Sequence, residues 1–145
     1  MKRSIQLSLT LFMLTAIAFP TIVSADNPGN QIAGTWEVHV DAGFMQFTDL
    51  SSMTRDGQVI TVNSGGGTAL GGWQRVRGRT YDVSFTGFMP GEPPARATIF
   101  STVELSADGQ EFNGPFLTEF RDLDGNLLFD MEGTVHGMRL PVIGF

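Results

Sequence analysis

Apolar and polar residues alternate along this chain in short runs, and each run stops at a turn signal. No segment of length carries helical spacing instead. A period of two sends successive side chains to opposite faces of a strand, so the pattern restricts the chain to an all-β barrel or sandwich. Eight strands follow one another: Ile32–Asp41, Phe44–Thr54, Val59–Asn63, Trp73–Arg77, Thr80–Met89, Arg96–Ser106, Glu111–Arg121 and Leu127–Leu140. Tight turns fall at Ala42-Gly43, Asp56-Gly57, Gly78-Arg79, Asp108-Gly109 and Asp122–Asn126. Asp-Gly suits a two-residue loop because its glycine accepts positive φ. Ser64–Gly72 reads as a glycine-rich loop, and the proline-rich 90–94 segment as another, since proline has no donor for a ladder.

Sequential short connections mean sequential hairpins, hence an antiparallel up-and-down meander. Closing eight such strands into a barrel removes the exposed edges, and a two-sheet sandwich is the competing architecture. One face is clearly interior. Trp36, Val38 and Val40 on the first strand share a phase, as do Ala97, Ile99, Val103 and Leu105 on the sixth. Acids and both histidines take the other phase of the first and last strands.

The first 25 residues read as an address. Lys2 and Arg3 precede an apolar run from Leu7 to Phe19, and Val23-Ser24-Ala25 forms a small-residue cleavage site before Asp26. This is the pattern of a secretory signal peptide, and the run is shorter than the roughly 20 residues of a spanning helix. Export is therefore expected without a stable membrane anchor, and the bacterial look of the segment suggests the periplasm or the medium. Residues 26–145 then form a single barrel domain. Lys2 is the sole lysine, so the exported chain sets arginine alone against fifteen acids. That composition excludes lysine Schiff-base chemistry and argues against nucleic acid as a partner. The absence of cysteine excludes a disulfide scaffold and thiolate-ligated metal.

Gly34-Thr35-Trp36 opens the first strand and Arg139 lies near the end of the last. In an eight-strand meander this resembles the lipocalin and broader calycin pattern. In that family a Gly-x-Trp packs beneath an arginine from the last strand and closes one end of the barrel. The resemblance implies that structural role for Gly34, Trp36 and Arg139, and the physics agrees: neighbouring strands let a guanidinium stack on an indole while bonding exposed carbonyls. The chain departs from the family in having only Ala42-Gly43 between its first two strands, no Thr-Asp-Tyr signature and no C-terminal helix, which implies a compact barrel.

Candidates for chemistry are few. His39 and His136 share the solvated face with Glu37, Asp41, Asp130 and Glu132, but without metal-ligand spacing inside a strand they read as an acidic stripe rather than a metal site. Asp122–Asn126 has its glycine two places too early for a calcium loop and reads as a turn. Gly65-Gly66-Gly67 lacks the Lys-Ser/Thr of a phosphate loop. No catalytic set and no cofactor are indicated. Thr48, Ser101 and Thr118 are candidate inward hydroxyls. Trp73, Arg75 and Arg77 share a phase. If Trp73 points in, Arg75 needs a partner, either Asp49 or a ligand carboxylate; in the opposite phase Gln74 and Val76 are interior.

The interior phase is aromatic, with Tyr81, Phe85, Phe112, Phe116, Phe120 and Phe129 beside Met89 and Met131. A barrel of about eight strands is either filled by side chains or holds one small ligand. Gly87, Gly114, Gly133 and Gly137 lie on the inward phase, which favours a cavity; the rival reading is relief of strain where the wall bends. The leading expectation is thus an exported barrel that binds a small apolar or amphipathic molecule through Trp73, Arg75, Tyr81, Phe85, Phe116, Phe120, Phe129 and Met131. The alternatives are a barrel isomerase or cyclase acting by positioning, with enzymatic activity the less favoured, and a ligand-free interaction module. For the last, outward Phe88, Phe100 and Leu117 offer a homodimer patch.

Overall fold

A computed structural model describes residues 31–89 and 91–142. The expected signal peptide lies outside the described residues. Eight strands form one closed barrel in sequence order. They are β1 (Gly34–Asp41), β2 (Gln46–Met53), β3 (Gln58–Asn63), β4 (Thr68–Arg77), β5 (Thr80–Met89), β6 (Ala95–Leu105), β7 (Glu111–Asp122) and β8 (Leu127–Arg139). Every neighbouring pair is antiparallel, and β1 closes on β8 with Trp36 opposite Arg139 and His39 opposite His136. The sandwich alternative is excluded by that β1–β8 ladder. At the β2–β3 hairpin Gly57 adopts φ +91°, the left-handed conformation that its Asp-Gly signal anticipated.

Meander topology puts all odd-to-even turns at one end and all even-to-odd turns at the other. We call the first the mouth and the second the base. The base is plugged. Ile32 and Trp36 are fully buried, and the Trp36 indole N–H donates to the Ile32 carbonyl at 2.9 Å. The Arg139 guanidinium lies 4.2 Å above the indole. It donates to the carbonyls of Gly109 at 2.7 Å, Ala33 at 2.8 Å and Gln31 at 2.6 Å. Burial of the guanidinium lowers its pKa. Gly34 has φ +151° and a Cβ there would strike Arg139, so two constraints reserve the position for glycine.

The inward glycines do not leave open space. Gly133 and Gly137 seat rings, while Gly87 and Gly114 lie where backbone from Thr68-Ala69 and Thr102-Val103 passes too close for a side chain. Phe112 pairs across the ladder with Gly137, Phe116 with Gly133, and Phe85 with Gly71. A Cβ on Gly137 would collide with the Phe112 ring, one on Gly133 with Phe116 and the Asp41 carbonyl, and one on Gly71 with Phe85. The Phe112 and Phe116 rings therefore pack against bare glycine backbone, and at Gly71 the Ser84 carbonyl and Phe85 backbone come equally close, which lets the wall curve tightly.

One element differs from expectation. β4 begins at Thr68, within the segment read as a glycine-rich loop, and Gly71 and Gly72 pair on both sides. Glycine has no side chain to show a period of two, so the pattern was silent there. Pro115 sits mid-strand in β7. The β6–β7 ladder passes from Ser101–Phe116 to Glu104–Asn113 because proline offers no N–H, and the Ser101 hydroxyl donates to the Pro115 carbonyl at 2.8 Å.

Candidate functional site

The mouth opens into an interior cavity of about 580 Å³, within the range of small-molecule sites. Phe85, Phe116, Phe120, Phe129 and Met131, all expected from the interior phase, line it. Phe112 lies deeper, while Phe120 and Phe129 stack at 4.2 Å nearer the mouth. Phe44 and Phe88 stand at the rim, 79% and 72% exposed. Sequence reasoning did not place these two at the site: Phe44 was assigned to a strand end, and Phe88 to the outer phase, where only its position at the last turn of β5 brings it round to the opening. Phe100 and Leu117, its expected companions in an outer patch, pair with each other on the outer wall, away from Phe88.

Trp73, Arg75 and Tyr81 lie elsewhere. Trp73 does take the inward phase, but at the base. Its indole N–H donates to the Thr54 carbonyl at 2.9 Å, and its ring meets Tyr81 edge-on at 5.7 Å. Tyr81 is fully buried beneath the cavity floor, its hydroxyl without a partner among the described residues. Arg75 is exposed past the end of the barrel and donates to the Gly78 carbonyl at 2.7 Å. The three do not line the cavity. Of the two phases the sequence leaves open for β4, the one with Trp73 inward holds; height along the barrel axis is what separates the three from the cavity, because strand tilt and stagger carry the end of β4 beyond the lumen.

Asp49 is the one ionisable residue among the described residues that line the cavity. It points inward from β2, is only 7% exposed, and its Oδ1 has no hydrogen-bond partner among the described residues. Arg75 is therefore not its partner. Below it the Ser51 hydroxyl donates to Thr61 at 2.9 Å. Thr118 is buried inward and Ser101 also lines the cavity. Thr48, by contrast, faces outward, where its hydroxyl meets His39 Nδ1 at 3.2 Å. Since Asp49 is inward, period two requires its neighbour to be outward.

Burial pushes the Asp49 carboxyl up from 3.8 to about 6. The native state thus holds this proton more tightly than the unfolded chain does. Stability on this account is full below about pH 4 and falls as pH rises to about 6, where an unpaired charge forms in the wall. We expect the difference in unfolding free energy between wild type and Asp49→Asn to shift by roughly 2 kcal/mol in favour of the variant from about pH 4 to pH 7. Parallel stability profiles in urea melts across that range would refute this.

The other candidates have local partners. His39 Nε2 lies 3.2 Å from Glu37, and His136 Nδ1 lies 2.7 Å from Asn113. Among the described residues no three His, Asp or Glu side chains converge as a metal site. Asp122 closes its own turn, accepting from the Asn126 side chain and backbone at 2.8 Å each; these bonds hold its carboxyl below the usual range.

Fold and site together define an eight-stranded antiparallel closed β-barrel, plugged at its base and hollow above. No protein-family model, curated protein or solved structure matches the chain.

Proposed function

We infer that this is an exported, lipocalin-like binding protein that holds a small apolar or amphipathic molecule in the barrel. The supporting observation is the cavity itself: about 580 Å³, open at one end and walled mainly by aromatic, aliphatic and methionine side chains. A lumen of this kind gains roughly 25 cal/mol for each Å² of ligand surface removed from water, before ordering costs. Rim Phe44 and Phe88 extend the apolar surface outward, so a hydrophobic molecule meets a continuous path from rim to floor. Binding is the reading taken over turnover because the lining is mainly apolar, with Asp49 its single ionisable group among the described residues. The Gly34, Trp36 and Arg139 closure supports the calycin resemblance.

Titration with Nile red, a neutral polarity-sensitive dye, tests the reading. Wild type should bind one dye saturably. Ala97, buried in the cavity wall on β6, is the position at which to obstruct the lumen: Ala97→Trp should weaken binding about tenfold or more while leaving the barrel folded by circular dichroism. Absence of saturable binding to wild type, or undiminished affinity in a folded Ala97→Trp, would remove the lumen as the site.

A further inference from the structure

We propose that Asp49 is the polar anchor of this cavity and that the barrel selects apolar molecules carrying a protonated amine. The inference rests on the binding reading above and narrows its ligand class. Three observations converge on it.

The first is an unmet bonding demand. Asp49 Oδ1 is buried without a donor, and the groups around it cannot supply a countercharge. Val38 and Val40 face it from β1, Thr61 and Asn63 from β3, and Phe47 and Ser51 from its own strand. Elsewhere the lining carries Thr118, Phe120 and Met131, also without a positive charge. The neighbouring polar groups bond elsewhere: Ser51 donates to Thr61, and Asn63 Oδ1 accepts the Gly67 N–H at 2.9 Å, and none of the three carries a charge to set against the carboxylate. A buried carboxylate without a partner is strongly unfavourable, and an ammonium group seated in the lumen would relieve it with a charge-assisted bond.

The second is the sign of the lining. Among the described residues no Arg, Lys or His lines the cavity. A fatty acid would bring a second carboxylate towards Asp49 with nothing positive to receive it. The same body ending in an amine meets the opposite charge.

The third is the distribution of charge along the barrel axis. At the mouth Asp41, Glu92, Asp122 and Asp124 outnumber Arg96 and Arg121, while at the base Arg55, Arg75, Arg77, Arg79 and Arg139 outnumber Asp56, Glu104, Asp108 and Glu111. This polarity draws cations to the opening and repels anions from it. The raised Asp49 pKa agrees: the carboxyl is ionised near neutrality and available to a cation.

Displacement of bound Nile red by decylamine, decanol and decanoate separates the possibilities, since the three share one chain and differ at the head. With wild type at about pH 8, decylammonium should displace the dye at roughly one tenth the concentration needed for decanoate, with decanol between. Asp49→Asn should shrink the amine preference to under about threefold, read as the ratio of decylamine to decanol displacement within the variant and referred to the variant's own Nile red affinity. In wild type, lowering the pH to about 5 protonates Asp49 and should weaken decylammonium several-fold while leaving decanol unchanged; this arm needs no variant. Decanoate equal to or stronger than decylammonium, or an amine preference unchanged in Asp49→Asn and at low pH, would overturn the assignment while leaving the cavity a binding site. Failure of wild type to bind Nile red would defeat the binding reading itself, and this inference with it.

Discussion

Trp36→Ala should lower the unfolding free energy by about 3–5 kcal/mol, enough to threaten the folded state of a domain this small. The indole is fully buried, packs 4.8 Å from Phe112 and carries the hydrogen bond that fixes Ile32 over the base. Its removal opens a void under a charged group. Arg139→Ala should be severe for a different reason. It leaves the Gln31, Ala33 and Gly109 carbonyls without the donors that now join the entering chain and the β6–β7 turn to β8, a loss of about 3 kcal/mol. The two losses should not add. With the guanidinium stacked on the ring, a double-mutant cycle should return a coupling of about 1–2 kcal/mol. Arg139→Lys should recover little, because a point charge cannot reach three carbonyls from separate segments as a planar fork does. Urea unfolding measures all four proteins, and a loss under about 1 kcal/mol for Trp36→Ala would show that the base is not where the barrel is held closed.

Gly137→Val should destabilise the barrel by about 3 kcal/mol through overpacking, since even a Cβ at this position would enter the Phe112 ring. Phe112→Ala fails in the opposite sense, emptying the same space at about 3–5 kcal/mol. Combined, the changes should be less harmful than their sum by at least about 1 kcal/mol, because the valine side chain occupies room that the ring has left. Additive losses would mean that ring and glycine are not a packed pair. The result bears on the cavity as well. The lumen stays open because the rings lie against glycine backbone instead of extending across it, so the Phe–Gly pairs shape the walls of the candidate site.

Much of the interior phase was legible in the chain. Phe85, Phe116, Phe120, Phe129 and Met131 could be assigned inward because alternation is a local property of a strand. Trp73 shows where that reasoning stops. Phase says which face a side chain occupies, not how far along the barrel it sits, and the end of β4 lies below the lumen. Arg75 accordingly bonds a turn carbonyl outside the site. Asp49 was visible only as a conceivable partner for that arginine. Its isolation depends on the side chains that β1, β3 and the far wall bring around it, none of which its sequence neighbours reveal.

Strand number, the phase of most strands, the hairpin turns and the pairing of Trp36 with Arg139 followed from the amino-acid sequence, because each rests on a period of two and on the φ preferences of a few turn residues. Tertiary structure decided the rest. It converted Gly133 and Gly137 from spaces into seats for rings, drew Gly71 and Gly72 into a strand, set the cavity volume and left a carboxylate unpaired within it. These are consequences of closure: only when β1 meets β8 do residues far apart in the chain share one interior, and only then are volume and charge balance defined.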